Sequence, residues 1–347
     1  MVAGDRLGDY DIIVIGGGLA GLTAGLFAAR YGHSTLVLES TVPGGHLINV
    51  EKIEDFPGFP AGIAGFDLCP MVQEQAQSQG AHFELAEVEG LEQGGPDIPA
   101  GPGGADHADG ADIPPGRGWR VATSEGSYGA RAVIVAAGSR PKALGVPGEE
   151  RLYGRGVSHC ASCDGPLFRG RIVGVVGGGS AALQEALTLA NHASRVIVFN
   201  QEAAFSGQET YRRRVAAESK IEARHNMAVE EVLGESAVAG VRVRDVATGA
   251  QSQVDLAALF VYAGLEPNTA FLRGRLRLTD DGRVPTNAWL RTELAGVFAA
   301  GDVRHDSAHH AITAAGDGAT AAIAAHRYLE ERPDKATRGR ADAAVPA

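Results

Sequence analysis

The chain has 347 residues, a formal net charge of −11 at pH 7, 44% hydrophobic residues and 21% charged residues. This length allows two domains with separate cores, and the composition is that of an ordinary globular protein. The acidic balance argues against nucleic acid and against an anionic membrane surface as partners, because both attract basic patches. Three cysteines are too few for a disulfide framework, so we expect a cytoplasmic protein.

Residues 11–15 form an apolar, β-branched run typical of a buried parallel strand. Three glycines follow in the spacing Gly-x-Gly-x-x-Gly, at Gly16, Gly18 and Gly21. A helical pattern then covers 19–31, and a second strand over 35–38 ends at Glu39. In such a unit the glycines allow a tight turn and close approach to a pyrophosphate, and the acid can accept ribose hydroxyls. The segment therefore predicts a dinucleotide site.

Glycine and proline then mark two loops, at 43–46 and 54–60, with a helix predicted from 67 to 79. Residues 90–118 differ from the rest of the chain, because almost half of them are Gly or Pro and they show no periodicity. Such a segment cannot build a core. We predict a flexible insertion at the tip of a β-hairpin, with strands at His82–Leu85 and 119–123.

A Cys-x-x-Cys pair followed by a carboxylate comes next, formed by Cys160, Cys163 and Asp164. Two thiols at this spacing can close into a disulfide, and an adjacent Asp can accept or return the proton that accompanies electron transfer. Half of a zinc site is an alternative, but zinc needs two further close ligands, and only His159 is adjacent while Cys69 is distant. A redox-inert pair is the other alternative. We therefore expect redox chemistry and no metal.

A second βαβ unit follows the thiol pair, with strands over 172–176 and 196–199 and a helix up to 192. Its turn carries the related spacing Gly177, Gly179 and Ala182. The chain is therefore expected to bind two dinucleotides, or one dinucleotide beside a relic of a second site. Several strands are predicted within 221–265, a strand over 296–300 ends in Gly-Asp, a helix covers 310–329, and 332–347 form a loose tail.

Together these segments resemble the bacterial-type, low-molecular-weight thioredoxin reductases, within the flavoprotein pyridine nucleotide-disulfide oxidoreductases. The resemblance covers nearly all of the chain except 90–118 and the tail. It implies an α/β fold of two Rossmann-like, three-layer ββα domains, the second inserted in the first. The FAD-binding domain would span 1–142 and 275–347, and the nicotinamide-binding domain, which carries the thiol pair, 143–274. A homodimer is implied by the resemblance alone.

The resemblance also implies an order of electron transfer. A reduced nicotinamide gives hydride to FAD, and the flavin reduces the disulfide. Cys163 would face the flavin, Cys160 would attack the partner's disulfide, and Asp164 would be the general acid and base. The partner would be thioredoxin or a thioredoxin-like protein, with a small-molecule disulfide left open. Rotation of the second domain on hinges near 140–150 and 267–284 would let both substrates reach the flavin.

Site residues are implied in the same way. Asp302 would bond the FAD ribitol, although a helix cap is the alternative, and the helix that follows it would face the flavin. The implied FAD contacts are Gly16, Gly18, Gly21, Glu39, Gly44, Gly45, His46, Asp55, Gly301, Asp302, His310 and Ala311. The implied nicotinamide contacts are Gly177, Gly179, Ala182 and Asn200.

The sequence departs from the family at the nicotinamide site. Where NADPH-dependent members carry a His-Arg-Arg cluster and a later Arg, this chain has Asn200, Gln201 and Glu202, with Ser206 at the later position. Without a cation, and with a repelling carboxylate, the site disfavours the 2′-phosphate of NADPH. NADH, with Asn200 or Glu202 accepting ribose hydroxyls, fits better. The arginines at 212–214 sit on the next helix and are interpreted as a solvated face.

Two alternatives stay open. One is a relative that does not use NADPH and takes electrons from a ferredoxin-type donor, or that oxidises a small dithiol with O₂. The other is a flavin-binding redox sensor without turnover. Further departures lie near the expected flavin: His46 and His310 replace Gln, and Asp55 replaces Asn. A histidine there would tune the flavin with pH, or would serve as a neutral hydrogen-bonding spacer.

Overall fold

The computed structural model describes residues 6–97 and 117–330. The chain forms two compact units, one from residues up to 139 and from 267 onward, the other from 140–266. The strands are β1 Arg6–Ile15, β2 Thr35–Glu39, β3 His82–Leu85, β4 Val88–Asp97, β5 Arg117–Thr123, β6 Gly126–Val135, β7 Ser139–Pro141, β8 Val157–Ser158, β9 Ile172–Val176, β10 Arg195–Phe199, β11 Ile221–Arg224, β12 Met227–Leu233, β13 Gly240–Asp245, β14 Gln251–Asp255, β15 Ala258–Val261, β16 Leu265–Pro267 and β17 Val297–Ala299. The helices are α1 Leu19–Arg30, α2 Gly65–Ser78, α3 Glu149–Leu152, α4 Ala161–Asp164, α5 Ser180–Ala190, α6 Glu209–Ala217 and α7 Ala311–Glu330.

The first unit is built on a seven-stranded sheet in the order β3-β2-β1-β6-β5-β4, with β17 also paired to β6. Strands β1, β2, β3, β6 and β17 run in parallel. Strand β5 is antiparallel to both β4 and β6. The long strand β6 is divided between two neighbours, because its first half pairs with β5 and its last three residues pair with β17.

Both faces of this sheet are covered, as the apolar run of β1 requires. Ile12 and Val14 pack against α1 and α7, and Ile13 points into the opposite cluster. Burying each such side chain contributes roughly 1.5–3 kcal/mol. Helices α1 and α7 approach so closely that a Cβ added at Gly318 would lie 2.1 Å from the Ala20 carbonyl oxygen. This contact brings the first turn of α1 beside α7.

The predicted β-hairpin has a different first strand from the one expected. His82–Leu85 pairs in parallel with β2 at the edge of the sheet, so it is not a hairpin strand. The antiparallel partner of β5 is β4, which extends to Asp97 despite its glycines. The expected insertion at 90–118 therefore begins as strand, and residues 98–116 lie outside the described residues, as does the expected tail at 332–347.

The second unit has a five-stranded parallel sheet in the order β11-β10-β9-β15-β8. Helix α5 covers one face and shares a buried cluster with Val173, Val198 and Phe260. The antiparallel sheet β12-β13-β14 covers the other face through Val229, Val241 and neighbouring residues. The unit is therefore a three-layer ββα structure.

Both units thus have a sheet with covered faces, mostly parallel in the first unit and wholly parallel in the second, and the second unit is inserted in the chain of the first. The predicted fold class is confirmed. Within 6–97 and 117–330, no helix is long and apolar enough to cross a membrane. The assignment of FAD to the first domain and nicotinamide to the second stays a prediction.

Candidate active site and dinucleotide sites

The thiol pair lies in a short turn of the second unit and is closed as a disulfide. Cys160 and Cys163 are bonded, with their Cα atoms 5.3 Å apart. Cys160 precedes α4, and its Sγ accepts a hydrogen bond of 3.1 Å from the backbone N–H of Cys163. An N–H aimed at a sulfur stabilises the thiolate that forms when the disulfide opens. The Cys160 sulfur is therefore the one that the turn supplies with a backbone hydrogen bond.

The residues of the disulfide turn differ in their exposure to solvent. Cys163 is exposed, whereas Cys160 and Asp164 are half-buried. The Asp164 backbone N–H donates to the Cys160 carbonyl over 3.1 Å, which closes the turn and holds this carboxylate directly after the pair. The turn therefore combines an accessible sulfur with a nearby carboxylate.

The first Gly-rich turn joins β1 to α1. Gly16 has φ +103°, and its N–H donates to the Leu38 carbonyl on β2. A Cβ added at Gly18 would meet nothing within 4 Å, so the turn opens onto free space in front of α1. The first turn of α1 carries no acidic residue. Such a helix end, with a turn free of side chains, can accept a pyrophosphate.

Glu39 at the end of β2 is held by this turn. Its Oε2 accepts a 2.7 Å hydrogen bond from the Gly17 N–H, and its Oε1 accepts one of 3.0 Å from the Thr41 N–H. The carboxylate is thereby fixed beside the turn. This agrees with the expected position of a ribose-binding acid, and the role itself stays a prediction.

The loop of Gly44, Gly45 and His46 lies next to the same turn. Gly18 and Gly44 form a β-bridge, and a Cβ added at Gly45 would lie 3.3 Å from the Gly18 Cα. Both loop glycines have positive φ. His46 is exposed, and the Cys69 side chain packs against Gly44. The structure therefore brings these predicted contacts to the first turn.

A second group of predicted FAD contacts gathers at the start of α7. The Asp302 carboxylate accepts hydrogen bonds from the hydroxyls of Ser139 and Ser307, and the His309 ring lies beside it. Burial alone would raise the pKa of Asp302, but the hydrogen bonds and the charge of His309 outweigh it, and the pKa is lowered. The carboxylate is therefore ionised at neutral pH. Asp302 lies in the short 3₁₀ turn Gly301–Val303, and α7 begins only at Ala311.

His310 and Asp55 form a pair that joins α7 to the loop at 54–60. The His310 Nδ1 lies 3.0 Å from the Asp55 carboxylate, although the residues are 255 positions apart in the chain. Ala311, the first residue of α7, packs with Leu19 of α1 and with Ile53. The positions that depart from the family on both sides of the expected flavin therefore contact each other.

The second Gly-rich turn joins β9 to α5 in the second unit. Gly177 has φ +133° and donates to the Phe199 carbonyl, and a Cβ added at Gly179 would meet nothing within 4 Å. Ala182 is buried in the helix that follows. The first turn of α5 carries no acidic residue. The turn is thus fully formed, as dinucleotide binding requires.

Asn200 follows β10 and is 4% exposed. Its Nδ2 donates 3.0 Å hydrogen bonds to the carbonyls of Glu202 and Ala204, and its Oδ1 lies against Gly178. The amide nitrogen is therefore committed to folding the loop, which leaves only Oδ1 for a ribose. Binding of ribose by Asn200 stays a prediction.

The loop from Asn200 to Ser206 itself carries no Lys, Arg or His, although the His225 Nδ1 lies 3.2 Å from the Asn200 Nδ2. Gln201 and Glu202 are exposed. Arg212 and Arg213 of α6 form ion pairs with Glu209 on the same helix. This agrees with the interpretation of the arginines as a solvated face.

Sequence reasoning missed several residues of these sites. Tyr262 contacts the disulfide turn, and Ser139, Ser307 and His309 contact Asp302. None of them belongs to a spaced motif. The only available signal was the position of Tyr262 directly after a buried strand, at the edge of the sheet where ligands bind in α/β folds.

Comparisons with known proteins agree with this geometry. A family model described as pyridine nucleotide-disulphide oxidoreductase matches residues 10–318. The thioredoxin reductase of Mycolicibacterium smegmatis is 38% identical over 93% of this chain and 97% of that protein. That of Treponema pallidum is 35% identical over 93% and 98%. The solved thioredoxin reductase of Lactococcus lactis has a TM-score of 0.84 and 32% identity over 93% of this chain and 99% of that chain.

The fold, the disulfide turn and these matches define the class of protein, which is a flavoprotein disulfide oxidoreductase. The chain belongs to the pyridine nucleotide-disulphide oxidoreductase family, and the resemblance to thioredoxin reductases is confirmed. It is an enzyme, and its cofactor is FAD. The first turn fits this cofactor, because Gly18 opens onto free space and Glu39 stands fixed beside it.

Proposed function

We propose that the protein reduces the disulfide of thioredoxin or a thioredoxin-like protein, with electrons that pass from NADH through FAD to Cys160 and Cys163. The observation that carries the proposal is the closed disulfide directly before Asp164, in the same unit as a fully formed second dinucleotide turn. The relatives are thioredoxin reductases by name, which supports the partner. We further propose a cytoplasmic homodimer.

Bound FAD would take an electron pair from the nicotinamide and supply it to the disulfide. When that electron pair breaks the Cys160–Cys163 bond, the Cys163 sulfur takes up one proton, which Asp164 would hold and return, and Cys160 is left as a thiolate. The Cys160 thiolate, stabilised by the Cys163 N–H, then attacks the partner's disulfide and releases one partner sulfur. Attack by Cys163 on Cys160 restores the enzyme disulfide and leaves the partner as a dithiol.

Replacement of one sulfur tests the role of the pair. We expect Cys160→Ser to keep its FAD and to remain reducible at the flavin, yet to lose disulfide turnover by ~10³-fold or more, because Cys163 alone cannot both attack a disulfide and re-form one within the enzyme. Turnover with a thioredoxin disulfide and flavin absorbance are the two measurements. Cys69→Ser is the matched control, because Cys69 is a buried free thiol outside the pair. Full activity of Cys160→Ser would refute the assignment.

The choice of nucleotide rests on the missing cation. In anaerobic stopped flow, we expect NADH to bleach the flavin at least about tenfold more efficiently than NADPH, because Glu202 repels the 2′-phosphate. The double change Gln201→Arg and Glu202→Arg should improve NADPH use by about tenfold, since each charge-assisted bond is worth roughly 1.5–3 kcal/mol before losses.

A matched control carries the same change of charge elsewhere. Gln253→Arg with Asp255→Arg places it on exposed positions of β14, and we expect no gain with NADPH. Faster bleaching by NADPH than by NADH in the unchanged protein would contradict the proposal. Bleaching by neither nucleotide would point to a ferredoxin-type donor or to oxidation of a small dithiol by O₂, as the absent cation allows.

A further inference from the structure

One tyrosine hydroxyl ties the disulfide turn to the end of β15, beside a contact of the His159 ring with the Val261 carbonyl. Tyr262 Oη accepts a 3.2 Å hydrogen bond from the backbone N–H of Ala161, the residue directly after Cys160. Ala161 is fully buried, so its N–H has no access to water. The same hydroxyl is hydrogen-bonded to the carboxylate of Glu185 on α5. The tyrosine therefore stands between the turn and the Glu185 side chain.

The direction of these two bonds follows from the charges. Burial raises the pKa of Tyr262, and the Glu185 carboxylate adds to this effect, with a smaller contribution from Asp164. The hydroxyl therefore keeps its proton at any working pH. The hydroxyl donates a hydrogen bond to Glu185, and its oxygen accepts one from the Ala161 N–H. Glu185 thus orients the hydroxyl that holds the turn.

The backbone of Tyr262 is itself held rigidly. It directly follows β15, and its N–H donates to the Val176 carbonyl of β9 over 2.8 Å. Its carbonyl oxygen packs against the second Gly-rich turn, where a Cβ added at Gly177 would lie 2.5 Å away. The hydroxyl is therefore positioned from the end of a core strand, and it cannot follow a disulfide turn that moves away.

The two redox states depend differently on this anchor. In the disulfide state, a covalent bond holds the two sulfurs together. In the dithiol state, hydrogen bonds of the turn do so instead. The N–H groups of Ala161, Cys160 and Asp164 donate to Tyr262 Oη, to Ser158 Oγ and to the Cys160 carbonyl, and the Cys163 N–H donates to Cys160 Sγ. Each bond that survives reduction raises the effective concentration of one thiol at the other.

We propose that Tyr262, oriented by Glu185, is a positioning residue that keeps the reduced turn closed and so favours re-formation of the Cys160–Cys163 disulfide. The inference rests on the proposed redox role of this pair. Loss of the hydroxyl would leave the Ala161 N–H unsatisfied in the disulfide state, whereas the opened turn can turn that N–H to water. Both effects shift the equilibrium toward the dithiol.

The test measures that equilibrium directly in the FAD-loaded protein. In glutathione buffers, two glutathione molecules are oxidised for each protein disulfide reduced. Alkylation after acid quenching, read by mass spectrometry, counts the thiols. We expect Tyr262→Phe to shift the equilibrium constant about tenfold toward the dithiol, which corresponds to about 30 mV. Glu185→Gln should shift it in the same direction and by less, because the amide still accepts a hydrogen bond.

Tyr211→Phe is the matched control. The Tyr211 hydroxyl also bonds a residue of α5, Gln184, and is buried, but it does not contact the disulfide turn. We expect this variant to keep the equilibrium constant within about twofold of the unchanged protein. FAD absorbance and the unfolding temperature, recorded for each variant, separate a shifted redox equilibrium from a damaged fold.

Two results would overturn the inference alone: an unshifted Tyr262→Phe in a protein whose pair opens normally, or an equal shift in Tyr211→Phe. A pair that stays closed in the unchanged protein, even in excess dithiothreitol, would instead overturn the proposed function together with the inference. The two failures are therefore distinguishable.

Discussion

The two Gly-rich turns form the same hydrogen bonds with different side chains. In each, the first glycine has positive φ and donates to a carbonyl of the second strand, Leu38 in one unit and Phe199 in the other. In each, the second glycine of the motif, Gly18 or Gly179, opens onto free space in front of a helix. Glycine spacing alone therefore determines the shape of the turn, and it does not determine which dinucleotide is bound.

The units differ first in how closely helix and turn pack. A Cβ added at Gly21 would lie 1.8 Å from the Gly16 carbonyl oxygen, so the first unit admits no side chain there. The second unit has Ala182 at the same position, and this alanine is buried without displacing its turn. The first turn is therefore the tighter of the two.

They differ second in the residue after the second strand. In the first unit, the Glu39 carboxylate accepts the N–H of the middle glycine, Gly17. In the second, the amide of Asn200 lies against Gly178 and donates to the loop that follows. One unit presents a charge to the site, whereas the other uses the same position to fold a loop. The difference teaches that equivalent positions in a repeated unit can take different structural roles, one beside its Gly-rich turn and the other within a folded loop.

The largest effect is expected from a substitution that breaks the tighter turn. Gly21→Ala should lower FAD affinity by ~100-fold or more, because the added methyl meets a backbone carbonyl that cannot move aside. The matched change Ala182→Gly should cost only about 1 kcal/mol of stability through helix propensity. Titration of the apoprotein with FAD and denaturant unfolding measure the two. Equal and small effects of both changes would remove the distinction between the turns.

A smaller effect is expected from exchanging amide and carboxylate at the second position. Asn200→Asp should cost about 1–3 kcal/mol in the free energy of unfolding, because an oxygen would then face the carbonyls of Glu202 and Ala204. If Asn200→Asp unfolds at the same denaturant concentration as the unchanged protein, the amide does not fold the loop.

Glu39→Gln should lower FAD affinity by about tenfold, since one of its two N–H partners then meets an NH₂ group.

The local patterns were the predictable part of this molecule. The glycine spacings, the flanking strands and the disulfide pair are short-range features, and each appears where its pattern indicated. The predicted hairpin partner of β5 was wrong for a physical reason. Strand β4 contains glycines and has a low β propensity, yet it pairs with β5 because of its place at the edge of the sheet. The contact of Asp55 with His310 and that of Tyr262 with Ala161 join distant parts of the chain, and no spacing rule relates them.

The packing of α7 against α1 has a consequence for the order in which the protein folds during synthesis. The second unit is one unbroken segment of the chain, 140–266, whereas the core of the first also requires β17 and α7, from Val297 onward. Domains generally fold as units while the chain emerges from the ribosome. The disulfide-bearing unit can therefore complete its core while the first unit still lacks β17 and α7.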